Sequence, residues 1–363
     1  MNPSMKILLI SNMYPSSNFP SYGIFVKNFI SSLQEKYNVE FSLCVIRGKR
    51  STFFAKIITY LVFYFNIILK GLITKHDIIY VHYISHSSIP IILLNYLKKG
   101  TIIINAHGSD IISNNIINKI FSIPMNKLIE ISKIIVVPSK YYKKVILDNY
   151  IVEEKKIFIS PSGGINQSLF FPKNNHPTKT KILNIGFISR IDKGKGWNIL
   201  LEAAHLLINK ISIKLYIVGS GEEKDDMLSM LDKYELNNIV EYYGELPQET
   251  LVNIYHKIDV FVFPTMRDAE SLGLVGLESM ACGIPVISSD IAGPSEYVIN
   301  DYNGFKFYKG DVKALAKRLL YFSNLDQNTI NRLKNGALLT SEQYHSSLIT
   351  KLLFNKLVEI NSE

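Results

Sequence analysis

The sequence predicts an α/β protein built from two doubly wound parallel sheets. Short runs of isoleucine, leucine and valine alternate with longer helical stretches in both halves of the chain. Continuous apolar runs of this kind are typical of parallel strands that are buried on both faces. The alternation stops at a stretch rich in proline, glycine and asparagine, residues 160–178, and then restarts. The chain of 363 residues is also long enough for two domains of ordinary size.

Each predicted strand is followed by a helical stretch, which is the pattern of a doubly wound sheet. In the first half the strands are Lys6–Ser11, Phe41–Val45, Ile78–His82, Thr101–Asn105 and Ile134–Val137, with helices near 23–36, 54–73, 88–98, 115–131 and 139–149. In the second half the strands are Lys181–Phe187, Lys214–Val218, Val260–Phe263 and Pro285–Ser288, with helices near 196–209, 222–235, 248–256 and 272–281. From residue 311 onward we expect only helix, broken at Gly336.

These patterns divide the chain into a first domain over residues 1–165, a linker over 166–178 and a second domain over 179–343. We expect the two domains to face a cleft and the C-terminal helix, 344–363, to pack back on the first domain. Ligands of doubly wound sheets bind at the carboxyl ends of the strands. The loops after the strands are therefore where we look for chemistry.

The basic charge of the protein belongs to its first half. The formal net charge is +9 in total, +12 over residues 1–175 and −3 over the remainder. A basic surface usually meets phosphate in a nucleic acid, an anionic membrane or a phosphorylated substrate. Two cysteines, Cys44 and Cys282, cannot form a disulfide framework or a four-thiolate zinc site, and they suit a reducing compartment.

The most membrane-like stretch is Phe53–Leu72. Its apolar core lies between Lys56 and Lys70 and falls short of the ~20 apolar residues that a spanning helix needs. The stretch fits a helix lying in the interface of an anionic membrane, and it fits an ordinary core helix of an α/β domain equally well.

The segment Pro264–Gly283 is the densest in candidate site residues. It contains a loop and then a helix predicted to begin around Leu272, where unpaired backbone amides of Leu272, Gly273 and Leu274 can bind phosphate. Glu270 lies in the loop. Glu278 lies among apolar helix residues, where a carboxylate needs partners, and the vicinal hydroxyls of a ribose would supply them.

A second segment, Gly186–Gly196, follows the first strand of the second domain. Arg190 offers a planar fork and Lys195 a point charge on a connection that glycines keep tight. This pairing suits a diphosphate.

Together these segments resemble the retaining glycosyltransferases of the GT-B fold, family 4. The match extends to Pro161-Ser162-Gly163-Gly164-Ile165, Ile217-Val218-Gly219-Ser220-Gly221-Glu222, Tyr243-Gly244-Glu245-Leu246, Ala281-Cys282-Gly283-Ile284-Pro285-Val286 and Gly293-Pro294-Ser295-Glu296. The motifs occur in the family's order over nearly the whole chain. The resemblance departs at Ser271-Leu272, at Ser162 and Asn166, and in a first loop with Gly23 as its one glycine.

The resemblance implies a role for each candidate residue. Arg190 and Lys195 would neutralise the diphosphate, Glu278 would hold the ribose, and Glu270 would contact hydroxyls of the transferred sugar. The amides of Gly273, Leu274 and Val275 would help to bind sugar or phosphate. His107, in the segment His107-Gly108-Ser109-Asp110, would reach the sugar from the first domain. Gly23 would close an acceptor loop over Asn12–Gly23.

The resemblance also implies the reaction and its partners. A sugar would pass from a UDP- or GDP-sugar donor to a hydroxyl of a saccharide acceptor, which we expect to be lipid-linked and used in bacterial surface polysaccharide synthesis. We expect no metal or other cofactor, because cationic side chains can stabilise the leaving diphosphate. The enzyme would then work in the cytoplasm, peripherally on the inner face of the cell membrane.

Two other functions fit the same residues. One is a nucleotide-sugar epimerase or a phosphorylase of the same fold, and the other is a non-catalytic partner subunit. A nicotinamide-dependent dehydrogenase is disfavoured, because Gly219-Ser220-Gly221 is followed by Lys224 and not by the third glycine of the dinucleotide fingerprint. Nucleic-acid binding has no motif in its favour beyond charge.

Overall fold

The computed structural model describes residues 4–19, 22–50, 52–108, 111, 116–173 and 181–362, with the backbone alone given for 116–122. The chain divides into two compact units. The first combines Met1–Gly164 with Ser346–Glu363, and the second is Ile165–His345. Residues 166–170 of the predicted linker lie in the second unit, where Phe170 is buried in the core. Residues 174–178 of that linker fall outside the described residues.

The first unit is built on a parallel sheet of six strands in the order β2-β1-β3-β4-β5-β6. The strands are β1 (Met5–Tyr14), β2 (Val39–Arg47), β3 (Ile78–His82), β4 (Thr101–Asn105), β5 (Ile134–Val137) and β6 (Ile157–Ile159). The helices that alternate with them are α1 (Ile24–Gln34), α2 (Phe53–Ile73), α3 (Ile84–Leu97), α4 (Ile116–Ile131) and α5 (Lys140–Asn149).

The second unit repeats this plan with the strand order β12-β11-β10-β7-β8-β9. Its strands are β7 (Leu183–Ile188), β8 (Ile213–Val218), β9 (Val240–Tyr242), β10 (Val260–Phe263), β11 (Val286–Ser289) and β12 (Gly304–Phe307). Its helices are α6 (Trp197–His205), α7 (Lys224–Lys233), α8 (Leu251–Tyr255), α9 (Leu274–Ala281), α10 (Pro294–Tyr297), α11 (Val312–Asn324) and α12 (Gln327–Glu342). The predicted fold class is confirmed.

The strands of both sheets pack on both faces, as their apolar composition requires. Every residue of β3, β5, β10 and β11 is buried. In the first unit, one face packs against α2 to α5 and the other against α1. Continuous burial of this kind explains why these strands have no polar alternation.

The last helix, α13 (Ser346–Ser362), belongs to the first unit. Its side chains Leu353, Leu357 and Ile360 are buried beside α1, and Phe354 stacks on Tyr37 with ring centroids 3.8 Å apart. The chain therefore returns to its first sheet after completing the second.

Three strands were not predicted, and each lies at the edge of a sheet. β6, β9 and β12 have only three or four residues and pair with one neighbour each. An edge strand packs against fewer apolar neighbours, so its sequence carries a weaker apolar signal.

The predicted break at Gly336 is wrong. Helix α12 runs through this residue without interruption, and Gly336 is buried. A Cβ atom at this position would lie 2.0 Å from the carbonyl oxygen of Tyr302. The glycine is therefore required for close packing of the helix against a loop and does not end the helix.

Candidate active site

The winding of the second sheet reverses direction between β7 and β10. From β7 the chain proceeds to β8 and β9 on one side, whereas β10, β11 and β12 lie on the other side. Ligands of doubly wound sheets bind outside the carboxyl ends of the strands at such a reversal. The loops after β7 and β10 carry the two segments that sequence analysis selected.

Lys195 and Glu270 form an ion pair at this position. The Nζ atom of Lys195 lies 2.7 Å from Oε2 of Glu270, and each side chain is only 14% exposed. The hydroxyl of Thr265 lies 3.3 Å from the same oxygen. Among the described residues, no hydrogen bond reaches Oε1 of Glu270. That oxygen is therefore available to accept a hydrogen bond from a ligand hydroxyl.

Arg190 lies on the same loop and faces solvent. Its side chain is 68% exposed, and its Nη1 atom lies 2.9 Å from Oδ2 of the buried Asp192. The other oxygen of Asp192 accepts a hydrogen bond from the backbone of Glu222 at 3.1 Å. Asp192 thus holds one nitrogen of the Arg190 guanidinium while most of the side chain stays accessible.

Arg267 is a third cation of the site, and sequence analysis missed it. Its Nε and Nη2 atoms donate hydrogen bonds to the carbonyl oxygen of Lys193 at 2.9 and 2.6 Å, and Nη2 lies 4.0 Å from Asp192. The signal available was a basic residue three positions before Glu270 in the loop after β10. The sheet brings it beside the loop after β7.

Close packing fixes the two loops against each other. The backbone amide of Met266 donates a hydrogen bond to the carbonyl oxygen of Gly194 at 2.8 Å. A Cβ atom on Gly196, whose φ is +80°, would lie 1.9 Å from the carbonyl oxygen of Pro264. Gly196 also caps helix α6, directly after Lys195. The backbone therefore positions the lysine.

Helix α9 begins two residues later than predicted. Gly273 is its N-cap in the left-handed conformation, with φ of 79°, and the first helical residue is Leu274. The amide of Gly276 is already bonded to the carbonyl oxygen of Gly273 at 3.0 Å. The amides that open the helix are thus those of Leu274 and Val275, and not those of Leu272 and Gly273, because glycine at the cap lets the chain turn just before the helix.

Glu278 lies inside α9 and is only 5% exposed. Its Oε1 atom accepts a hydrogen bond from Nε2 of Gln248 at 3.1 Å, and its Oε2 atom lies 3.2 Å from the hydroxyl of Tyr255. Burial raises the pKa of Glu278 to about 7, against the lowering effect of these two partners. The expected partners of this buried carboxylate are thus supplied by the protein itself.

The first sheet reverses between β1 and β3, and its predicted site residues lie at the carboxyl ends of these strands and of β4. Gly23 caps α1 with φ of 72°. Phe25, two residues later, contacts His107 with ring centroids 4.6 Å apart. Residues 20 and 21 of the predicted acceptor loop, and Ser109-Asp110 of the histidine segment, lie outside the described residues.

His107 is held by a second histidine that sequence analysis did not select. Its Nε2 atom lies 2.9 Å from Nδ1 of His82, the last residue of β3, and Tyr83 stacks on the ring at 5.2 Å. Burial lowers the pKa of His107 to about 3 and that of His82 well below its ordinary value. Both rings are therefore neutral near pH 7 and can exchange hydrogen bonds but carry no charge.

Over the described residues, no group of three or more histidine, cysteine, aspartate or glutamate side chains could hold a metal ion.

The two units together have the GT-B fold. The fold matches a sucrose-phosphate synthase from Thermosynechococcus elongatus with a TM-score of 0.81, at 18% identity over 99% of both chains. It also matches HepE of Anabaena in complex with UDP and glucose, with a TM-score of 0.78, at 15% identity over 98% of this chain and 99% of that one. Likenesses at this identity establish the fold alone.

The second unit also matches a known family in sequence. Residues 166–338, which make up most of the second unit, match the family model for glycosyl transferases group 1. This domain is therefore similar to the glycosyl transferases group 1, the kind of family that the motifs indicated. It is 30% identical over 198 residues to the capsular polysaccharide biosynthesis glycosyltransferase CapM of Staphylococcus aureus. That match covers 51% of this chain and 50% of CapM, so it spans half the length of the relative.

Proposed function

We propose that this protein transfers a sugar from a nucleotide diphosphate sugar to a hydroxyl of a saccharide acceptor, with retention at the anomeric carbon. The observation that carries the proposal is the buried pair of Lys195 and Glu270 at the reversal of the second sheet. Arg190 and Arg267 add two further cations to the same loops. A UDP donor is in keeping with the UDP and glucose bound by the HepE structure.

The proposed chemistry needs charge stabilisation more than proton transfer. When the bond between the anomeric carbon and the diphosphate oxygen breaks, negative charge develops on the departing diphosphate. Lys195, Arg190 and the amides of Leu274 and Val275 are the groups that would receive this charge. The free oxygen of Glu270 would accept a hydrogen bond from a hydroxyl of the transferred sugar. In this scheme no divalent metal is needed.

Glu278 and His107 would orient the substrate rather than react. Glu278 is fixed by Gln248 and Tyr255, and its remaining acceptor capacity suits ribose hydroxyls. His107 is neutral near pH 7, so it suits a sugar hydroxyl and not a phosphate. In both cases the surrounding hydrogen bonds set the orientation of the side chain before a ligand binds.

Helix α2 supports a peripheral membrane location. The helix has 21 residues and is longer than the core between Lys56 and Lys70 that sequence analysis considered too short to span. By length and composition, it is the one described helix that could cross a membrane. It packs into the core of the first unit through Phe63 and Ile67, which argues for a position along the membrane surface. Apart from Lys56, the exposed side chains of this helix are apolar over a length of about 30 Å. These are Phe53, Phe54, Ile57, Ile58, Leu61, Val62, Phe65, Leu69, Leu72 and Ile73.

The charges around this face suit an anionic membrane. The only charged residues of the helix are Lys56 and Lys70, and Lys49, Arg50 and Lys75 flank it. An apolar face bordered by cations is typical of helices that lie in the interface of anionic lipids. A location on the inner face of the cell membrane would bring the enzyme to a lipid-linked acceptor of surface polysaccharide synthesis, in keeping with the name of CapM.

Donor hydrolysis and sugar transfer test the proposal. We expect one member of a set of UDP- and GDP-sugars to be hydrolysed slowly by the purified protein, in EDTA as well as in magnesium. Lys195→Ala and Glu270→Gln should each abolish this activity. Lys193→Ala is the matched control, because that side chain is exposed on the same loop. Epimerised donor, or full activity in the Lys195 and Glu270 variants, would contradict the proposal.

A further inference from the structure

A groove of about 500 Å³ runs between strand β2 and helix α2. Strand β2 is an edge strand of the first sheet, so the groove is bounded on one side by the open edge of the sheet. Ile58, Val62 and Phe63 of α2 supply an apolar wall. Arg47 and Arg50 line one end, and the volume is typical of a small-molecule site.

In the part of the chain that the structure describes, the two arginines of this groove have no acidic partner. Both are exposed, and over the described residues no carboxylate lies within ion-pair distance of either one. The guanidinium of Arg47 is held 4.7 Å from the ring centroid of Tyr14. Lys70, at the other end, instead donates a hydrogen bond to the carbonyl oxygen of Leu43 at 2.7 Å. The uncompensated charge is therefore concentrated at the Arg47 end.

Such a groove selects an anion that carries an apolar tail. A guanidinium group can donate two parallel hydrogen bonds to two oxygens of a phosphate. The apolar wall on α2 lies beside about 13 Å of strand β2, from Arg47 to Leu43. Val62 and Ile58 belong both to this wall and to the exposed apolar face of α2. A tail lying in the groove would therefore continue into the lipid that α2 is proposed to touch.

The position of the arginines favours the lipid of the acceptor over a bulk phospholipid. Arg47 ends β2, and the next residue, Gly48, donates a backbone hydrogen bond to Tyr14 at the end of β1 at 3.0 Å. The cationic end thus lies at the carboxyl edge of the first sheet. On the same edge, Tyr60 of α2 bonds to Asn12 of β1 at 3.4 Å, so α2 borders both the groove and the site that contains His107.

We propose that the groove between β2 and α2 binds the phosphate and the first apolar segment of the lipid carrier of the acceptor, with Arg47 and Arg50 on the phosphate. This inference rests on the proposed transferase function, because it identifies the carrier that presents the acceptor saccharide. It assigns to the acceptor a part of the positive charge of the first unit that the donor does not use.

Vesicle binding tests the site. The probes are phosphatidylcholine vesicles with about 5 mol% polyprenyl phosphate, and vesicles of equal surface charge made with phosphatidylglycerol. We expect the wild-type protein to bind the first at least about tenfold more tightly, the scale of one or two charged hydrogen bonds. Arg47→Gln/Arg50→Gln should remove this preference. Lys27→Gln/Lys36→Gln, with the same charge change on and beside α1 across the sheet, should retain it.

The outcomes separate the site from the transferase function. Equal binding of the two vesicle types by the wild-type protein would overturn the choice of the carrier, and a preference that survives in Arg47→Gln/Arg50→Gln would overturn the groove. Donor hydrolysis by the wild-type protein in detergent-free buffer is measured alongside. A carrier preference that depends on the arginines, without any donor hydrolysis, would contradict the proposed function while supporting the lipid site.

Discussion

The ammonium group of Lys195 lies 2.7 Å from the carboxylate of Glu270, a residue 75 positions later in the chain. The two residues belong to the loops after β7 and β10, which become neighbours only because the sheet reverses there. The resemblance to a known family assigned them to different parts of the substrate. Because of this pairing, an arriving diphosphate would meet a Lys195 ammonium group whose charge is already neutralised by Glu270.

This pair should couple measurably in stability. Removing one member leaves the other largely buried without a counter-charge, so Glu270→Gln should lower the free energy of unfolding by about 1–3 kcal/mol. In a double-mutant cycle, Lys195→Met should recover most of that loss. The measurement is urea unfolding of the four proteins.

An exposed ion pair that includes Asp268, two residues before Glu270, provides the control for this cycle. Lys309 and Asp268 lie 2.9 Å apart, close to the separation of the first pair, but their side chains are 39% and 63% exposed. Their coupling should be below about 1 kcal/mol. Equal coupling energies for the two pairs would show that burial does not set the strength of the Lys195–Glu270 interaction.

Gly196 should be intolerant of any side chain. Alanine at this position combines a positive φ with a Cβ atom 1.9 Å from the carbonyl oxygen of Pro264. Gly244 has φ of +65° and nothing within 4 Å of the same atom. Gly244→Ala should therefore cost about 1 kcal/mol, and Gly196→Ala at least about 2 kcal/mol more. Thermal unfolding of the two variants measures both losses of stability. Similar losses would mean that the positive φ sets the cost and that the contact with Pro264 does not.

Glu278 should make stability depend on pH. Burial raises its pKa from 4.5 to about 7, so between these values the folded chain binds more protons than the unfolded chain. Stability from this group is complete below the unfolded pKa and is lost as pH rises through about 7. The loss is roughly 3 kcal/mol.

Glu278→Gln removes this titration. Between pH ~5 and pH ~8, the wild-type protein should therefore lose about 2–3 kcal/mol of unfolding free energy relative to the variant. Urea unfolding of both proteins at the two pH values gives the difference. A difference that stays constant would show that the carboxylate does not change its protonation state in that range.

The apolar face of α2 should control membrane binding without supporting the fold. Leu61 and Phe65 are 63% and 64% exposed, so Leu61→Ser/Phe65→Ser should leave the unfolding temperature nearly unchanged. Each side chain contributes about 1.5–3 kcal/mol when buried in an apolar phase, and partitioning into anionic vesicles should fall at least about tenfold. Tyr308→Ser, on an 80% exposed side chain of the second unit, is the control. Unchanged co-sedimentation of the α2 variant would exclude this face as the anchor.

Local signals in the sequence predicted most of the helices and strands. They also led to the choice of four charged candidate residues for the site. These four could be selected because glycines, a strand end and a helix start surround them; they are Arg190, Lys195, Glu270 and Glu278. Arg267 and His82 could not, since a lone arginine in a loop or a histidine in a strand carries no local signal. Gly336 was misread because close packing and chain reversal both require glycine, and only the neighbouring Tyr302 distinguishes them.

The sequence by itself determined the class of the fold, because apolar periodicity and turn residues act over short distances and fix strands and helices locally. It also determined which loops carry charge. The tertiary structure decided which charges meet: Lys195 with Glu270, Arg267 with the carbonyl of Lys193, and His82 with His107. These pairings depend on the order of strands in a sheet. That order is set by the packing of the whole chain, and no local run of residues contains it.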